Sequence, residues 1–257
     1  MLLRNFILLV FCCSCFYSEA QELKNETQLF RYACKLQEED QWNDALIIFK
    51  NLLKSDSSDA EYLWRTSFIY SKLGVLQSNE PSRQQWYTTA AYLGKKAVTQ
   101  HPQHANAHYA FAVALGRMNE HAGNKTKIQN ARLIKSEAET AIQLDPKLPG
   151  PYHLLGRWHR VIAGFNAFEK TMIKAMFGAM PGGSYDDAIR NFEKAILLEP
   201  LNGIHYYELA VSFTERNKPN DKQQAKNWLG KALQIPVKSA DDAENRKKCE
   251  DLLAKLK

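Results

Sequence analysis

"GPYHLLGRWHRVIAG" (150–164) and "YDDAIRNFEKAILLEP" (185–200) decide the fold of this chain. Each reads as a helix. In the second, Ala188, Phe192 and Ala195 recur at steps of three and four, which places them on one helix face. Pro200 stands just past its end, where it breaks no internal hydrogen bond. In the first, Gly156 supplies a small residue where a large side chain would force the two helices apart. The two segments therefore form the halves of one close-packed unit.

The unit recurs. Segments of the second kind are "DALIIFKNLLKSD" (44–56), "TAAYLGKKAVTQHPQH" (89–104), "LIKSEAETAIQLDPKL" (133–148) and "QAKNWLGKALQIPVK" (224–238). Segments of the first kind are "TQLFRYACKLQEE" (27–39), "AEYLWRTSFIYSKLG" (60–74), "ANAHYAFAVALGRMNE" (105–120) and "GIHYYELAVSFTERN" (203–217). The small residue is Ala33, Ser67, Ala112, Gly156 and Ala210 in turn. Strand-length alternation is scarce, and Gly and Pro fall between the helices.

This pattern resembles a tetratricopeptide array. The fullest match is Tyr152, Leu155, Gly156, His159, Ala188, Phe192, Ala195 and Pro200, with His159 standing where the family has Tyr. Against the family's repeat of about 34 residues, repeats two, three and four carry about 11, 10 and 20 extra residues, and the fifth about 3. All fall at the joint between the two helices. The expected architecture is all-α: a superhelical solenoid of about five helix-pair repeats in one domain over 21–257, with an extra helix inserted in repeat four.

A more specific resemblance rests on "LLGRW" (154–158), the helix around "EKTMIKAMFG" (169–178) and "YDDAIRNFEKA" (185–195). Together these resemble the regulator of microtubule dynamics family from about Ala105 to the C-terminus, while 21–104 match only as repeats. The resemblance implies a non-enzymatic role at microtubules or at contacts between intracellular membranes.

The leader bears on that role. "MLLRNFILLVFCCSCFYSEAQE" has a basic start at Arg4, an uncharged run from Asn5 to Ser18, and small residues at Ser18 and Ala20, the pattern of a signal peptide cleaved before Gln21. The run is short of the ~20 residues that span a bilayer. The expectation is an exported, bacterial chain, periplasmic or secreted, with an N-terminal membrane anchor as the alternative. An exported protein meets no microtubules, so the fold and scaffold role carry over and the tubulin partner does not. Three of the five cysteines lie in the leader; Cys34 and Cys249 remain, far apart in an elongated fold, and are expected to be free and buried.

The chain has 45% hydrophobic and 24% charged residues, which fits a globular domain, and a net charge of +6 leans toward acidic partners or anionic lipid surfaces. No long run of like charges indicates a nucleic-acid tail. There is no Gly-rich phosphate loop, nucleophile elbow or paired Cys motif, so no catalytic residue, metal or cofactor is assigned. "HPQHANAH" (101–108) gathers His101, His104 and His108, but with no carboxylate near in sequence they read as turn and helix-start residues.

The first helices of tetratricopeptide units line a concave groove. Carrying the family's positions over selects Trp64, Phe68 and Lys72, then Tyr109, Val113 and Arg117, then His153, Arg157 and Arg160, then Tyr207 and Val211. This aromatic and cationic set suits an extended acidic peptide, or a lipid phosphate held by Arg forks. Arg117, Lys125, Lys127, Arg132 and Lys135 form a further basic cluster around the repeat-three insertion. In the repeat-four insertion, Phe165, Phe168, Met172, Met176 and Met180 make one apolar stripe. Left in water it would be an unusually large patch, so it is expected to fold inward as a lid over core or groove, the alternative being exposure to a partner or membrane. The leading functional reading is a non-catalytic protein- or peptide-binding scaffold; the alternative is a lipid-binding or membrane-tethering module.

Overall fold

The computed structural model describes residues 25–120, 122–178 and 182–256. The expected signal peptide (1–20) and Met180 lie outside them. Among the described residues every regular element is a helix: α1 (25–38), α2 (Trp42–Ser55), α3 (Ala60–Gly74), α4 (Glu80–Gln100), α5 (Ala105–Met118), α6 (Asn124–Leu144), α7 (Pro149–Gly164), α8 (Ala167–Phe177), α9 (Tyr185–Leu198), α10 (Gly203–Arg216), α11 (Asp221–Ala232) and α12 (Ala240–Lys255).

The hairpins are α1/α2, joined through Ala33, Leu36, Ala45 and Phe49, then α3/α4, α5/α6, α7/α9 and α10/α11, with α12 packed over the last pair. Within this stack α3 touches α5, α5 touches α7 and α7 touches α10, so the first helices of successive hairpins form one continuous layer. The core follows the same path as a string of clusters. Phe49 and Ile69 belong to the first, Leu63 and Ala110 to the next, Phe111 and Trp158 to a third, and Phe192, Leu209 and Leu229 to the last. Each hairpin is buried by its neighbours, as a solenoid requires.

Local chemistry sets the element ends. The side chains of Asp59, Asn79 and Ser184 accept from the backbone N–H of Tyr62, Ser82 and Asp187 at 2.9, 2.9 and 3.0 Å. Each such cap stabilises its helix by roughly 1 kcal/mol. One device recurs: four residues before the small position, a polar ring reaches back to the carbonyl of the preceding inter-repeat proline. His108 Nε2 meets Pro102 O at 3.0 Å, and the Tyr152 and Tyr206 hydroxyls donate to Pro146 O and Pro200 O at 3.2 and 3.0 Å.

The insertions occupy the expected joint but not in one form. In repeats two and three they lengthen the second helix, α4 and α6 each having 21 residues against 14 in α2 and α9. In repeat four they form α8, a separate helix. Cys249 is buried and Cys34 half-buried, both as free thiols; the expectation that both are buried holds for Cys249 alone. Burial pushes the Cys249 thiol up to about 11.

Candidate functional site

The first helices α3, α5, α7 and α10 form one layer, and the groove positions chosen from sequence lie on them. Phe68 on α3 stacks at 5.8 Å from Tyr109 on α5, and Trp42 stands 6.3 Å from Phe68 on its other side. The Tyr109 ring lies against Gly150 at the start of α7, where a Cβ would collide with the ring. Solvent still reaches the half-buried Tyr109, yet protein surrounds it deep in the groove. That enclosure, with Glu199 nearby, pushes its phenol up to about 12.

Trp64 is a correction. It is only 8% exposed and packs in the cluster of Leu63, Ala97, Ala107 and Ala110. The facing turns of α4 and α5 present alanines there, and the indole fills the room they leave. It belongs to the core, with the Arg65 guanidinium over its ring at 4.4 Å.

The cations are largely matched by the protein's own acids. Lys72 on α3 pairs with Asp241 on α12, a contact between the second hairpin and the last helix, and lies 5.2 Å over the Trp42 ring. Arg117 meets Glu120 at 3.1 Å. Arg160 reaches Glu208 at 2.9 Å and Glu215 at 2.7 Å, and Arg157 approaches Glu208 at 3.6 Å while remaining half-exposed. The groove is therefore aromatic and charge-compensated, and an acidic ligand would have to compete with Glu208, Glu215 and Asp241. Tyr207 is half-buried against the last core cluster.

At the base of α7 and α10 lies a feature the sequence reading missed. His153 Nδ1 is 2.8 Å from His205 Nδ1, and His205 Nε2 is 2.9 Å from a Glu199 oxygen. With Glu199 accepting from His205 Nε2–H, a neutral His205 ring presents a bare Nδ1, which accepts from His153 Nδ1–H. Enclosure by the surrounding protein, which leaves only part of the ring open, holds His153 well below the usual imidazole value, and His205, Arg157 and Arg160 push it the same way. A second proton on His153 would place a positive charge in this enclosed site beside the Arg157 and Arg160 cations. The unfolded chain takes up that proton below about pH 6.5, whereas the folded chain refuses it, so this stability is present above pH 6.5 and lost as pH falls toward the folded value. The thermal midpoint is expected to fall between about pH 7 and pH 5, and less steeply in His153→Gln. His108 acts oppositely, being raised by its contact with Glu137, so the comparison with His153→Gln isolates the pair. Equal slopes in the two proteins would refute this.

The three clustered histidines have separate structural partners, from carboxylates and carbonyls that sequence proximity could not show. His101 meets Ser58 O at 2.6 Å, His104 meets Glu61 at 3.0 Å, and His108 meets Glu137 at 2.5 Å. Among the described residues no group of three or more His, Cys, Asp or Glu is placed to hold a metal.

The lid reading is also corrected. Phe165 does pack inward, against the cluster of Phe111 and Trp158. But α8 has no buried residue, and Phe168, Met172 and Met176 are 73%, 43% and 64% exposed. The α8 part of the stripe, Phe168, Met172 and Met176, therefore does not close over the core as a lid.

Against known proteins, the family described as "Regulator of microtubule dynamics protein 1-3" matches residues 29–257. The chain belongs to that family. Regulator of microtubule dynamics protein 2 of mouse is 29% identical over 78% of this chain and 48% of its own length. Protein 1 of Bos taurus is 28% identical over 77% of this chain and 62% of its own length. The chain thus spans roughly half to two-thirds of these family members. A thermophilic tetratricopeptide protein of Thermus thermophilus superposes with a TM-score of 0.62 at 18% identity, over 88% of this chain and 98% of that one. A tetratricopeptide repeat protein of Parabacteroides merdae gives 0.52 at 14% identity, over 90% and 74%. The family member is thus a tetratricopeptide-type solenoid, with α8 as its most distinctive departure from regular helix pairs.

Proposed function

We propose that this chain is a non-catalytic scaffold that holds an extended segment of a partner protein along its concave layer. The observation that carries this is the run of half-exposed rings on successive first helices: Phe68, Tyr109, His153 and Tyr207. With the flanking cations already paired, the trench offers ring faces for apolar and aromatic side chains, and Arg157 as its half-exposed charge. Such rings are the residue types that dominate peptide-docking energetics.

A photo-crosslinking amino acid at position 68 or 207 is expected to capture a discrete partner. The same group at Ile47, 60% exposed on a second-layer helix, is not. Phe68→Asp with Tyr207→Asp should weaken that partner's binding about tenfold or more while the fold persists. Equal capture from position 47, or unchanged binding by the double variant, would overturn the groove. The relatives' names make microtubules one candidate partner, tested by co-sedimentation with polymerised tubulin. Export and microtubule association exclude one another, so fractionation of the host cell chooses between partner classes. The tethering alternative draws its support from α8 rather than from the groove.

A further inference from the structure

α8 is a helix on which Phe168, Met172 and Met176 are exposed, while Ile173 and Phe177, on the flank of the same apolar side, are half-buried. Its start is a reciprocal capping box, Asn166 accepting from the Glu169 N–H at 2.9 Å and Glu169 accepting from the Asn166 N–H at 2.8 Å. Its end is Gly178, whose φ of 78° is in the left-handed range that glycine tolerates. Phe165 anchors the entry, and Arg132 on α6 donates to Phe177 O at 2.7 Å near the exit. Phe168, Met172 and Met176 follow at steps of four, so they form one face, and that face is open. Leu133, next to Arg132 on α6, is exposed as well.

The charge around this face selects what covers it. Exposed Lys170 and Lys174 lie on α8, and exposed Lys125 and Lys127 lie on the first half of α6. From Asn124 to Ser136 there is no acidic residue. The acid on α8 is Glu169, which the capping box occupies. Two copies meeting through this face would bring like charges together. An anionic surface would satisfy both the apolar stripe and the lysines. The helix is about 10 Å across, about one Debye length at 0.1 M salt, so Lys170 and Lys174 on its far side still feel such a surface at reduced strength. Lys127 is about 8 Å along α6 from the Arg132 contact.

We propose that α8 is an interfacial membrane anchor: Phe168, Met172 and Met176 enter the headgroup boundary of an anionic bilayer, and Lys170, Lys174, Lys125 and Lys127 add electrostatic attraction. Such a helix lies on the membrane and does not span it, and among the described residues no helix is long and apolar enough to cross one. The anchoring is independent of the groove: it would leave the concave layer free for a partner while fixing the solenoid to a surface.

Flotation of the full chain with vesicles provides the test. Phosphatidylcholine vesicles containing phosphatidylserine are expected to carry the protein, and phosphatidylcholine vesicles much less. Added salt should weaken the association, each lysine near the surface contributing about fivefold. Phe168→Asp with Met176→Asp should reduce binding about tenfold or more. Its thermal midpoint should be unchanged, because neither side chain is buried in the protein. Lys170→Glu with Lys174→Glu should reduce it on charge alone. Absence of wild-type flotation, or flotation of the aspartate variant equal to wild type, would overturn the anchor. So would loss of a defined protein complex in that variant with vesicle binding intact, which would make α8 a protein-docking helix.

Discussion

Phe192→Ala is expected to lower the stability of the chain by about 3–5 kcal/mol. Phe192 is fully buried on α9, and its ring fills the space left open by Gly156 on α7, where a Cβ would come within 2.7 Å of it. The His153 ring meets it edge-on at 5.4 Å. Two helix backbones this close cannot move together to fill the void, so cavity cost adds to lost transfer energy. Chemical denaturation should show the loss as a shifted midpoint. Hydrogen exchange should place it in α7, α9 and α10 before α2, because each repeat is stabilised mainly by its neighbours. A loss below about 1 kcal/mol would mean that this hairpin is not packed as described. The reciprocal change, Gly156→Leu, should be damaging for the opposite reason, since nothing next to Phe192 can yield.

That packing was legible in the sequence because it is local and repeated. A small residue, a Pro past the helix end and a ring four positions before the small residue are each required by one hairpin, and each can be found by comparing hairpins. The first-helix layer was legible to the extent that it repeats: Tyr109, His153 and Tyr207 stand three residues before the small position of their helices, and Phe68 one after it. Trp64 occupies the slot of Tyr109, His153 and Tyr207 but lies in the core, because the alanines facing it are set by the neighbouring repeat. The partners of the cations were invisible for a related reason. Lys72 meets Asp241 across nearly the whole solenoid, and Arg160 meets Glu208 from the next repeat, pairings that superhelical curvature creates. His205 could have been noticed as a second histidine one repeat after His153, but nothing local signals that their rings touch. For α8, periodicity showed that an apolar face exists and not what it faces. Packed and open amphipathic helices have the same pattern.

The second large effect is expected at Arg216, where three helices meet. Its Nε and Nη2 donate to the two Asp221 oxygens at 2.9 and 2.6 Å, and its Nη1 donates to Asp186 at 2.5 Å. The guanidinium also lies 5.1 Å over the Phe213 ring. Asp221 opens α11 and is only 3% exposed; Asp186 lies in the first turn of α9. Arg216→Ala would leave the Asp221 carboxylate buried with the Lys218 N–H, at 2.8 Å, as its remaining donor. Stripping one partner from a buried pair costs about 3–5 kcal/mol, mostly through the charge left behind. Arg216→Lys should rescue little, because one ammonium cannot span both oxygens of Asp221 and reach Asp186. Arg216→Ala combined with Asp221→Ala should cost less than the two single changes added together, which identifies the coupling. By contrast, Lys35→Ala, breaking an exposed pair with Glu39, should stay within about 0.5 kcal/mol. The Arg216 contact holds Asp221 below its ordinary value, so its contribution is present above about pH 4 and lost as pH falls through the folded value. In Arg216→Ala that acid-range slope should flatten. The clamp also matters for the groove. By tying the start of α9 to the end of α10, it fixes the rotation of repeat five on repeat four, and with it the meeting of His153 and Arg160 with His205 and Glu208. A ligand that depends on the concave layer should therefore bind Arg216→Ala more weakly even at temperatures where the variant is fully folded.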